Sequence, residues 1–210
     1  MKKVKFIVFI CLFILLPLAY FNGFIRISDL TSEQESIAKK YGGVYVFDEK
    51  LEKEIDKREE ERRIMTKGLS GKKLAENRYA VDMTPVNEKL PRVLSNGKRY
   101  YSRKDNIKID NYKILNNYEE KLKEFMGKDY DKYENYLSIN LGYFYIDNDT
   151  IIPISIGVST LYTEVTFGVY GDEASGIKFT KESTQRLIGD NKFYLTDNKF
   201  EKVSTSDKDK

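Results

Sequence analysis

Three lysines, Lys2, Lys3 and Lys5, precede a charge-free run from Phe6 to Ile25, and this segment limits the chain's options more than any other feature. Twenty residues rising about 1.5 Å each make a helix about 30 Å long, close to the hydrocarbon thickness of a bilayer. Downstream, Arg26 is soon opposed by Asp29, Glu33 and Glu35, so the excess positive charge lies before the apolar run. Basic flanks stay on the cytoplasmic side, which predicts a cytoplasmic N-terminus and delivery of everything after about Ile27 across the membrane. Cleavage as a signal peptide is the competing outcome, but such apolar cores span about 7–15 residues and end at a small-x-small site. Pro17 with Ala19, or Phe21 with Gly23, makes a poor version of that site. Length and site quality therefore favour a retained anchor over residues 1–26, with a secreted or periplasmic product as the alternative.

The only cysteine, Cys11, lies inside the apolar run, and histidine and tryptophan are absent from all 210 residues. The exported part must then fold without a disulfide, and it lacks the commonest general base and metal ligand. No cofactor is expected. Of 36 lysines and arginines, four fall within the acid-free first 26 residues, so 32 cations face 33 anions in the rest. A surface that displaces counterions from nucleic acid needs a cationic surplus, and this balance supplies none.

After the anchor, the chain reads as one α+β domain over residues 27–203, followed by a polar tail over 204–210. Ser32-x-x-Glu35 has the form of a capping box, and it opens a short helix with Ile37, Ala38 and Tyr41 on one side and Gly42-Gly43 as its stop. Val44–Phe47 suits a strand. Asp48 then caps a charged helix over about Glu49 to Met65, with Glu49/Lys53, Glu54/Arg58 and Glu59/Arg63 at i,i+4. Its apolar stripe, Leu51 and Ile55 with Ile64 and Met65, is narrow, which predicts light packing.

Glycine and proline punctuate residues 66–112 around short candidate strands near Tyr79–Met83, Arg99–Arg103 and Ile107–Ile109. Tyr118, Leu122 and Phe125 mark a helix from about Asn116 to Met126, ended by Gly127, and Tyr130, Tyr133 and Leu137 extend that face after a break. From Leu137, Ile139, Leu141, Tyr143 and Tyr145 alternate with polar residues, and Asp147-Asn-Asp-Thr150 reads as a hairpin loop into Ile152, Ile154, Ile156 and Val158. Beyond it the apolar parity switches to Leu161, Val165, Phe167 and Val169, which predicts a bulge or bend near Gly157–Thr160. The pattern predicts burial for Ile154 and Val165 alike, in an antiparallel β-meander. Asp190-Asn-Lys-Phe193 and Asp197-Asn-Lys-Phe200 read as two loop-to-strand transitions.

Ser70-x-x-Lys73 and Ser95-x-x-Lys98 match a spacing that can set an amine beside a serine nucleophile, but both lie in glycine-containing, turn-like sequence and read as loops. Asp147-Asn-Asp149 lacks the glycine and distal glutamate of an EF-hand, so a turn is favoured over a calcium loop. Glu164, in an otherwise apolar strand, is expected to point away from Val165 toward solvent. Tyrosine crowds residues 112–145, and its spacing favours a core role. As a contact surface, the best candidates are Tyr130, Tyr133, Tyr136, Tyr143 and Tyr145. Compartment and missing chemistry together predict a non-enzymatic, membrane-tethered or exported protein of the bacterial envelope that binds another protein. An immunity or inhibitor protein against an envelope-acting toxin is one concrete form. The alternatives are an envelope hydrolase using Asp/Glu or Ser/Lys groups, and a structural module of a membrane complex.

Overall fold

The computed structural model describes residues 2–15, 25–75, 78–105, 107–108, 113–114, 117–171, 174 and 176–203. Helix α1 (Lys2–Ile10) runs into a π-helical stretch at Cys11–Leu15; residues 16–24 of the apolar run, and the tail 204–210, lie outside the description. Among the described residues no helix is long and apolar enough to cross a membrane. From Ile25 onward the chain is mixed α+β with antiparallel-rich sheets.

A single long strand organises the domain. β10 (Ser155–Tyr170) is flanked by β2 (Gly43–Val46) and β7 (Leu137–Leu141) near its start, and by β1 (Arg26–Ser28) and β11 (Lys178–Ile188) farther along. β12 (Asn191–Thr196) adds to β2 in parallel, and β13 (Lys199–Lys202) closes the seven-stranded sheet. β11 ends where β2 begins, at a backbone approach only glycine permits: a Cβ on Gly189 would stand 2.3 Å from the carbonyl oxygens of Ala38 and Gly42.

β7 continues into β8 (Tyr143–Asp147), which turns into β9 (Thr150–Pro153) and then β10. The Asp147–Thr150 loop is a hairpin turn as expected, with Asn148 and Asp149 at φ 46° and 57°, the left-handed pair that a two-residue turn requires. The bend, however, falls at Gly142 and Ile154 rather than at Gly157–Thr160. Gly142 N–H donates to the Ser155 carbonyl and Ile154 N–H to that of Tyr143, each at 2.8 Å. Beyond this corner β8 and β9 join β5 (Tyr100–Ser102) and β6 (Lys113–Ile114) in a four-stranded sheet. A Cβ at Gly142 would meet Ser155 Oγ at 2.5 Å. The parity switch needs no bulge at 157–160, because β10 from about Leu161 leaves the core and is partly exposed on both faces; its register shifts later, between Phe167 and Tyr170. Val165 is therefore only half-buried, whereas Ile154 is fully buried.

Two apolar clusters hold the layers. On one face of the main sheet, Ile156 and Val158 pack with Tyr45, Phe193 and Phe200 beneath α2 (Ser32–Tyr41), α5 (Asn117–Met126) and α6 (Lys128–Tyr133). Tyr45 and Phe193 stack at 4.5 Å, and Phe125 meets both edge-on. Ile37, Ala38 and Tyr41 are buried as expected, but the capping box is one residue earlier: Thr31 Oγ1 accepts from Gln34 N–H and the Gln34 side chain returns to Thr31 N–H. The second cluster joins Ile55 of α3 (Glu49–Lys67) to Leu94, Tyr100 and Ile154, with Leu51, Tyr143 and Tyr145 against it.

The charged helix α3 is thus better anchored than its narrow stripe implies, although Ile64 is exposed. Between residues 66 and 112, β3 (Gly71–Ala75) pairs with β4 (Arg78–Val81), and α4 (Thr84–Lys89) forms where Pro85 reads as a breaker, because proline is tolerated in a helix's first turn. Residues 107–108 are not strand, and 109 lies outside the description.

Candidate functional site

A groove of about 540 Å3 opens on the face of β10 opposite α2, α5 and α6. Ser155, Gly157 and Ser159 alternate onto that face, Val44 and Ile188 stand beside them still exposed, and α3 and the β8 sheet make the wall. Glu52 and Glu59 reach this wall from α3. Seven residues make two helical turns, about 10 Å along one face, and Ile55 between them fixes that face inward.

Each acid already has partners. Glu52 lies 2.7 Å from Lys192 Nζ and accepts from the Tyr194 hydroxyl at 3.3 Å. Glu59 accepts from Arg92 Nε at 2.9 Å and from the Tyr100 hydroxyl at 2.8 Å, with Arg62 Nε at 3.6 Å. Arg92 also bridges to Asp105 at 2.9 Å, and Asp105 accepts from Ser102 N–H at 2.7 Å. The expected Glu59/Arg63 pair does not form: Arg63 takes Glu60, because Glu59 is turned toward the core by its position beside Ile55.

The local charges set the protonation states. Burial alone would raise the Asp105 carboxyl, but the Ser102 N–H and the Arg92 guanidinium outweigh it and hold the group below its usual range. Burial followed by the Glu59 carboxylate pushes the Tyr100 phenol well up, so it stays a donor. Burial would lower the Lys192 amine, yet its bonds to Glu52 and Tyr194 raise it. Asp56 on α3 is raised, by burial and then by the neighbouring Glu52 charge.

Three other cations line the groove. Arg103, Lys104 and Arg186 have no ion-pair partner among the described residues and are exposed. The groove is therefore an apolar floor of Val44, Gly157 and Ile188 beneath a rim with spare positive charge. Its chemistry suits an acidic ligand with an apolar side.

The tyrosines proposed from sequence as one contact surface are dispersed. Tyr130 and Tyr133 are buried in the helix-covered core; Tyr143 and Tyr145 are half-buried against the second cluster; Tyr136 is exposed. Only Tyr143 lines the groove. The Ser95–Lys98 pair is not assembled: Ser95 bonds the Glu54 carboxylate while Lys98 pairs with Asp147 at 2.6 Å. Ser70 is exposed, and the Lys73 side chain lies outside the described residues. Glu164 points away from Val165 as expected, but lies 3.7 Å from Arg26 and is largely covered. Among the described residues no group of three or more acidic or thiol side chains could hold a metal ion.

What sequence reading missed is the pair Glu52 and Glu59. They stand at i−3 and i+4 from Ile55, the buried apolar residue of the helix, and that spacing puts them on its inward side. Arg103, Lys104 and Arg186 carry no such mark, since only the fold brings them together. No family model, curated protein or solved structure matches this chain.

Proposed function

We propose that this chain is a single-pass, membrane-tethered protein of the bacterial envelope, its N-terminus cytoplasmic and its α+β domain outside, and that it works by binding another protein. The groove on the bare face of β10 is the docking site. The observation that carries this reading is the division of charge there: the acids on the wall are neutralised within the chain, while Arg103, Lys104 and Arg186 stand unpaired above exposed Val44 and Ile188. Interfaces combine an apolar centre with a polar rim in this way. The expected partner presents an apolar ridge flanked by carboxylates; an envelope-acting toxin inhibited by this chain is one such case.

Photo-crosslinking in intact cells tests it. A crosslinker at Lys104 or Ile188 is expected to trap a product of the same mass. That product should disappear in Arg103→Glu/Arg186→Glu, which leaves the melting temperature unchanged because both side chains are exposed. The same product from a crosslinker at Lys199, or none from either groove position, overturns the assignment. Catalytic release of product from an envelope polymer by the purified chain would overturn the binding role itself.

A further inference from the structure

The apolar parity that takes over at Leu161 is that of a half-buried sheet, yet the face it marks is bare. Ile27 opposes Val165, and the Ile25 carbonyl accepts from Phe167 N–H, so Ile25, Ile27, Val165 and Phe167 share one face, with Leu161 following along β10. Ile25, Ile27 and Phe167 are 53%, 58% and 38% exposed, and Leu161 and Val165 are half-buried. Among the described residues none of these five belongs to either apolar cluster. The opposite face of the extension carries Arg26, Ser28, Glu164, Thr166, Ser183 and Gln185, with Phe179 its exposed apolar exception. The extension is therefore amphipathic. No register shift separates Leu161 from Ser159, Gly157 and Ser155, so its apolar face runs on into the groove as one surface.

Dimensions and charge say what fits there. At Val165 the strip is three strands across, with Ile27 on β1 and Glu182 on β11 to either side. Two interstrand spacings make about 10 Å, the width of one helix with its side chains. From Gly157 to Phe167 is about 33 Å along the strand, the length of about 22 helical residues. This sheet already covers its other apolar face with α2, α5 and α6, so helix on strand is its own mode of packing. Along the flank made by β11 and the groove rim stand Lys178, Arg186, Arg103 and Lys104 against the single acid Glu182. On the other flank the Asp29 carboxylate accepts from Thr163 N–H at 2.6 Å. A helix with carboxylates along one side of its apolar stripe complements this arrangement.

We infer that the partner presents a single amphipathic helix, laid along β10 from Gly157 to Phe167, its apolar stripe on Leu161, Val165, Phe167 and Ile27 and its acidic flank toward β11. This rests on the docking at the groove proposed above and states what kind of element docks. The parity of a covered strand then has its cover, supplied from outside the chain.

Photo-crosslinking with site mapping tests it, in intact cells carrying the full chain. Benzoylphenylalanine is placed at Ile188, Ile27, Phe167 or Phe179, and the partner residues it joins are read by mass spectrometry. Positions 188, 27 and 167 are expected to trap one product, and position 179, on the opposite face, none. Ile188 opposes Ser159, which lies about 26 Å from Phe167 along β10, so the residues joined from 188 and 167 should stand about 18 apart in one helical segment. Ile27→Asp is expected to leave the melting temperature of the free chain unchanged, since its side chain is more than half exposed, and to lower the yield at 188 by about fivefold or more. A product at 188 without one at 27 and 167 overturns the helix seat and leaves the groove docking standing. No product at 188 or at Lys104 overturns the docking and this inference with it. Joined residues only about eight apart show an extended strand. Joined residues in separate segments, a product of twice the chain's mass, or equal yield at 179 show several elements, a second copy, or an extension surrounded on both faces. Each of these contradicts the inference.

Discussion

Glu59 sits four residues after Ile55 and gathers Arg92, Tyr100 and Arg62, whose guanidinium is almost fully buried and also bonds the Leu90 carbonyl and Asn87 Oδ1. Removing one partner of such a pair leaves an uncompensated buried charge, so Glu59→Gln is expected to destabilise the domain by about 3 kcal/mol in urea unfolding. Lys98→Ala, which breaks a partly exposed pair with Asp147, is expected to lose less than about 1 kcal/mol. Asp105 adds a pH dependence of known sign. Its folded carboxyl is held low, so its contribution is present above the ordinary carboxylate value of about 3.9 and is lost as the pH falls through the folded value. Melting temperatures between pH 6 and pH 2 are expected to fall less steeply for Asp105→Asn than for the parent chain. At this scale the sequence is half legible. Ile55 marks Glu52 and Glu59 as inward, but the identities of Arg92 and Lys192 as their partners depend on contacts 33 and 140 residues away.

Elements with a strong local period were readable: the helix bearing Ile37, Ala38 and Tyr41, the helix capped by Asp48, the helix of Tyr118, Leu122 and Phe125, and the hairpin at Asp147–Thr150. Elements defined by long-range relations were not. The corner at Gly142 depends on contact with Ser155 across the hairpin, and α4 is masked by Pro85, which breaks helices elsewhere but starts this one. β10 misleads most, because one strand passes from a covered sheet to an extension with two wet faces, and periodicity reports only that the parity changes. The consequence is measurable. Ile154→Asp puts a charge in the dry second cluster and is expected to abolish cooperative thermal unfolding, while Val165→Asp, on the extension, is expected to lower the melting temperature and leave the transition cooperative. Equal loss of folding in both variants would place Val165 in the core. Gly142→Val, which drives a side chain into Ser155, is expected to be as damaging as Ile154→Asp.

For the whole molecule, β10 acts as a spine about 50 Å long with different surroundings at its two ends. One end pairs with the strand that emerges directly from the apolar run; the other carries the groove with its unpaired cations. This polarity is invisible in composition, which is nearly neutral after residue 26, and in the clustered tyrosines, of which Tyr130 and Tyr133 go to one core, Tyr143 and Tyr145 to the other, and Tyr136 to the surface. It depends on the apolar run lying in a membrane with the domain beyond it. Site-specific labelling tests that claim most directly. With Cys11→Ser removing the only native thiol, Lys104→Cys or Lys3→Cys is introduced into the full chain and a membrane-impermeant maleimide is added to cells whose cytoplasmic membrane is intact. The account predicts labelling at position 104 without lysis and at position 3 only after it. Labelling at position 104 only after lysis would place the domain in the cytoplasm and contradict the account.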